Sequence, residues 1–153
     1  MGSIAASVCR QSPGFFTSAC FSTCFAFALA AACGRKAAGV TMKRQASDDV
    51  RSVEEHLTLL QHRAVAHAQR DELLFKAFME TKAPVQAERL VESSQHFQQL
   101  IGDLGKELDG LAPLVVDSVS GDVDAARALH RAAAEIAAGL LREARAERSR
   151  VAK

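Results

Sequence analysis

Residues 100–115, LIGDLGKELDGLAPLV, decide how this chain folds. Ile101, Leu104, Leu108, Leu111 and Val115 recur at spacings of 3, 4, 3 and 4, which places them on one seam of an α-helix. The same stretch carries Gly102, Gly105, Gly110 and Pro113. An interior glycine costs a helix ~1 kcal/mol relative to alanine, and an interior proline ~3 kcal/mol. A helix that keeps its packing stripe while losing intrinsic stability must be held by its neighbours. The glycines predict close approach of those neighbours, and Pro113 predicts a helix bend.

The pattern extends upstream. Ala87, Leu90, Ser94, Phe97, Ile101, Leu104, Leu108 and Leu111 repeat at 3, 4, 3, 4, 3, 4 and 3, so a helix is expected from about Pro84 to Gly110. Before Pro84, Val50, Val53, Leu57, Leu60, Ala64 and His67 follow the same spacing, and Leu74 and Phe78 continue the frame. Polar residues such as Arg51, Glu54, Glu55 and Arg63 fill the other positions. This predicts a helix over 48–82, capped by Ser47 or Asp48, with Asp49 near the positive end of its dipole. Pro84 reads as a break, placed in the first turn of the next helix. Ser120-Gly121-Asp122 is a turn and capping signal, and a third helix follows over about 122–150. Its apolar side is Val123, Ala126, Leu129, Ala133, Ile136, Leu140 and Ala144.

The chain is 153 residues long with a net charge of +1, so no overall field selects nucleic acid or an acidic partner. The charge is unevenly spread. Residues 1–47 hold five basic residues and no acid, whereas residues 48–153 hold 14 basic and 18 acidic residues, a net −4. All four cysteines, Cys9, Cys20, Cys24 and Cys33, and five of the eight phenylalanines lie before residue 34. Residues 11–34, QSPGFFTSACFSTCFAFALAAACG, are uncharged. Four readings fit this leader: a secretory signal, a lipoprotein signal ending at Cys33, a membrane-spanning helix, and an organelle presequence or extension upstream of Met42. The expected division is therefore a basic, apolar leader over 1–41 and a helical domain over 42–150, with the leader outside the fold.

The expected fold class is all-α: two or three long heptad-patterned helices forming a coiled coil or an elongated bundle. Thirty helical residues span ~45 Å, and a stripe one or two residues wide cannot bury itself. The seam residues expected to carry partner binding are Val53, Leu57, Leu60, Leu74, Phe78, Leu90, Phe97, Ile101, Leu104, Leu108 and Leu111.

Catalytic and metal signatures are not expected. The glycines follow no strand and no Lys-Ser or Lys-Thr follows them, so they form no phosphate loop. His56, His62, His67, His96 and His130 include no pair four apart, the spacing of the common helical metal motif. His67, on the seam, reads as a polar register device. The basic run Arg142, Arg145, Arg148 and Arg150 is interleaved with Glu143 and Glu147 and lacks aromatics for base stacking, so nucleic-acid binding is not expected. No cofactor and no enzymatic activity are expected.

Residues 103–119, DLGKELDGLAPLVVDSV, resemble the second subunit of the biogenesis of lysosome-related organelles complex. The resemblance lies in Leu104, Leu108, Leu111 and Pro113, and in DELLFKAF upstream, with Asp71, Leu73 and Leu74. It covers about residues 50–145, departing from that family in lacking tyrosine near the proline. It implies a non-enzymatic coiled-coil subunit of a hetero-oligomer. Its helices would bundle in parallel with those of other small subunits, in the cytoplasm at endosome or lysosome membranes. The implied roles are vesicle trafficking and lysosome positioning, with peripheral membrane association. The alternative reading of the leader is a membrane-anchored or secreted small helical protein using residues 11–34.

Overall fold

The computed structural model describes residues 19–153. These fold into four α-helices: α1 (Ala19–Arg44), α2 (Asp48–Thr81), α3 (Pro84–Leu111) and α4 (Ser120–Val151). Short connections, 45–47 and 82–83, turn the chain back on itself, so successive helices are antiparallel. α1 packs against α2 and α4, and α3 packs against the same two helices from the opposite corner. No strand occurs among the described residues.

The boundaries have local causes. Ser47 lies in extended backbone and its Oγ accepts from the Val50 N–H, while Asp48 and Asp49 occupy the first turn of α2. At the far end Lys82 adopts the left-handed conformation, φ 50 and ψ 26, and its N–H donates to the Phe78 carbonyl at 2.7 Å. Its ammonium lies 4.6 Å from the centre of the Phe78 ring. Pro84 then opens α3, where its missing N–H removes no helical bond.

Two expectations about the following segment change. Pro113 does not bend a continuous rod. α3 ends at Leu111, and Pro113 follows Ala112 in the connection to α4, where no helical hydrogen bond is lost. That connection crosses the end of α1: the Gln45 amide donates to the Leu114 carbonyl at 3.3 Å, and the Val116 N–H donates to Thr41 Oγ1 at 3.3 Å. The turn before α4 is a 3₁₀ segment, Asp117–Val119, and Ser120-Gly121-Asp122 is the first turn of α4 itself.

Residues 19–41 are the described part of the expected leader. They form most of α1, and Met42 falls in its last turns. Cys24, Phe27, Ala31, Gly34, Ala38 and Thr41 are buried at spacings of 3, 4, 3, 4 and 3. The stripe is hidden in the sequence because the outer face of α1 is apolar too, with Phe25 and Leu29 exposed. The expected two or three helices are thus four. Residues 1–18 of the expected leader lie outside the described residues.

The core has two parts. The main cluster draws on all four helices, including Phe27, Ala31, Leu57, Ala64, Phe97, Leu104, Leu108, Ala126 and Ala133. Among the described residues, a second cluster of Phe78, Ala87, Leu90, Val91, Leu141 and Ala144 comes from α2, α3 and α4. At 1.5 Å per residue, the 34 residues of α2 extend ~51 Å, whereas the 26 described residues of α1 extend ~39 Å.

Candidate functional site

The expected seam is brought together, but inside the chain. Leu57, Leu60, Phe78, Leu90, Phe97, Ile101, Leu104, Leu108 and Leu111 are all buried, and Val53 and Leu74 are half-buried against the two clusters. Each helix buries more than a two-position seam. α2 adds Gln61 and Ala68, α3 adds Val91, Ser93 and Leu100, and α4 adds Ala137 and Leu141. A stripe of this width packs against two neighbours at once.

Of the three glycines in the deciding stretch, one receives a neighbour. A Cβ on Gly105 would lie 3.0 Å from both Cε1 and Nε2 of His130, while Gly102 and Gly110 have nothing within 4 Å. Among the described glycines the closest approach is at Gly34 of α1, where a Cβ would meet Leu108 Cδ2 at 2.8 Å and Leu57 Cδ1 at 3.0 Å.

His67 is an ionisable group buried in the core. It is 6% exposed, and its ring stacks on Phe97 at 4.5 Å with 10° between the planes. The His96 ring is 6.2 Å away, and Phe27 packs on the other partner, Phe97, at 5.6 Å. Burial holds the imidazole below its ordinary titration range. Asp71 opposes that shift, and His96 and Arg70 add to it. A protonated ring would gain ~0.5–2 kcal/mol of cation–π attraction from Phe97, but an unpaired buried charge costs several kcal/mol, so the neutral form prevails.

Few other groups suggest chemistry. Among the described residues no cluster of three or more His, Cys, Asp or Glu could hold a metal ion. Cys24 is buried, and Cys33 lies near Lys36 and Asp122, whose side chains are 2.9 Å apart. Burial and the Asp122 carboxylate push the Cys33 thiol up, against the pull of Lys36. His56 pairs with Glu107 at 3.2 Å, and Arg148 of the basic run pairs with Glu88 at 3.2 Å, so these charges tie helix to helix.

Among the described residues, exposed apolar side chains gather near the α2–α3 turn. Gln61, Ala68 and Phe75 are seven residues apart and so share a face of α2. Gln61 accepts from Arg35 of α1 at 2.8 Å, which identifies that face as the one packed on α1. In an antiparallel pair, the 14 residues from 61 to 75 lead back along α1 from 35 to 21, next to its described start at Ala19. Phe75 is 52% exposed, and Met79, one turn further on, is 50% exposed. Leu73 and Val85 add exposed apolar surface at the same end. Phe75 and Met79 are absent from the expected seam. They continue the α1-facing frame of Gln61 and Ala68, which a polar glutamine disguises.

Among the described residues no helix is long and apolar enough to cross a membrane. Residues 19–34 supply Phe27, Ala30 and Ala31 to the core, so using them as an anchor would open the bundle. Removal of residues up to Ala32 would take away the first half of α1. Comparison with protein-family models, with curated proteins and with solved structures finds no match to this chain.

Proposed function

We propose that the chain is a non-enzymatic helical subunit of a multi-protein assembly, and that it engages a partner helix near the α2–α3 turn. The supporting observation is the exposed pair Phe75 and Met79 on the α1-facing side of α2. Phe75 and Met79 lie four residues apart on one face of α2, a spacing that suits the apolar stripe of a partner helix. Leu104 and Leu108 of the heptad seam are buried within the chain, which favours the exposed Phe75 and Met79 as the contact of this reading.

The resemblance at residues 103–119 supports a cytoplasmic setting at endosome or lysosome membranes, with other small coiled-coil subunits as partners. The test is affinity purification of the full chain and of a Phe75→Ser, Met79→Ser variant, each checked first for an unchanged melting temperature. Loss of specific small helical partners from the variant supports the reading. An identical partner set overturns it.

A further inference from the structure

We propose that the α2–α3 interface is an acid-operated latch, with His67 as its moving part: protonating the ring breaks its stack on Phe97 and loosens the two helices from each other. The inference is independent of the partner surface above and rests on geometry within the core.

His67 belongs to α2 and Phe97 to α3, so the 4.5 Å stack joins the two helices directly. With 6% of its surface exposed, the ring cannot keep a hydration shell while it stays stacked. The charged and titratable groups acting on it are few. α2 contributes Asp71 and Arg70, and α3 contributes His96. α1 contributes the apolar Phe27, packed against Phe97, and α4 contributes Ala133 and Ala137 to the same core cluster. Asp71 is the single group favouring the charged ring. Arg70 and His96 oppose it, as does burial. His96, 6.2 Å away, disfavours the charged form of the His67 ring.

The direction follows from linkage. The ring titrates lower in the folded chain than in the unfolded one, so above the ordinary histidine value both states are neutral and stability is complete. As pH falls through that value, the unfolded state takes up a proton first, and the folded state loses ground until its own, lower titration point is passed. One such group changes the unfolding constant by up to about tenfold per pH unit in that window. A loosened interface exposes Leu60, Leu90 and Phe97, which are apolar and spaced to pack on another helix.

Three measurements on the full chain test the latch. Urea unfolding between pH 7.5 and 5 should show the unfolding constant of the native sequence rising by up to about tenfold per pH unit, with the rise reduced in His67→Phe by the contribution of one proton. Equal slopes overturn the proposal. If His67→Phe does not fold, ring-proton NMR of the native sequence decides: His67 should titrate below the ordinary value of about 6.5, and a midpoint at or above it overturns the proposal. Hydrogen exchange across the same pH range should accelerate first in residues 60–74 and 90–101. Uniform acceleration over all four helices overturns the latch.

Discussion

The imidazole of His130 in α4 reaches across to α3 and places Nε2 3.0 Å from the carbonyl oxygen of Ile101, passing over the bare backbone of Gly105. This contact gives a use to one breaker in the deciding stretch. The ring occupies the volume that a Cβ at residue 105 would need, at 3.0 Å from two of its atoms. Gly105 gives up helix propensity and admits an interhelical contact in return.

The three glycines of α3 should therefore respond differently to alanine. Gly102→Ala and Gly110→Ala meet nothing within 4 Å, so each should stabilise by about 0.5–1 kcal/mol through helix propensity alone. Gly105→Ala has the same propensity gain but displaces His130, and forfeits a hydrogen bond worth about 0.5–1.5 kcal/mol net. Urea denaturation of the three variants should leave Gly105→Ala clearly the least stable.

Gly34 tests whether α1 is truly part of the core. Gly34→Val forces atoms between Leu57 and Leu108, which are 0% and 1% exposed. Overpacking at such a site costs about 1–3 kcal/mol. Thermal melting should show a lower midpoint with the helical signal retained below it. An unchanged midpoint would mean that α1 is not packed there in solution.

Leu104→Asp combined with Leu108→Asp should unfold the isolated chain rather than merely strip it of partners. Both leucines are buried in the main cluster at 0% and 1% exposure. Each change removes about 1.5–3 kcal/mol of burial and introduces a carboxylate without a partner, which costs several kcal/mol more. Together these exceed the about 5–15 kcal/mol that a domain of this size has available. Circular dichroism of the purified variant should show no cooperative transition.

Cys33 should be a slow nucleophile. Burial and the Asp122 carboxylate raise its titration point above that of a free thiol, so less thiolate is present at pH 8. Asp122→Asn removes the repulsion and should speed alkylation of Cys33 by iodoacetamide, read by peptide mass spectrometry. The pH at which the rate is half-maximal should shift down in the variant.

The sequence by itself determined that α2, α3 and α4 are helices, and close to where they begin and end. Helical periodicity is local: Val50 to His67 and Ala87 to Leu111 declare their buried faces without reference to the rest of the chain. Ser47 and Pro84 are equally local, because capping and the missing proline N–H act within one turn. What buries those faces was decided only in three dimensions. A 3,4 spacing states that Leu104 and Leu108 must be covered, but not whether by another chain or by Gly34 of α1. The place of α1 was hidden for the same reason. Its stripe from Cys24 to Thr41 has no polar face to contrast with, so composition suggested a leader where packing shows a fourth helix. The exposure of Phe75 and Met79 likewise appears only in three dimensions.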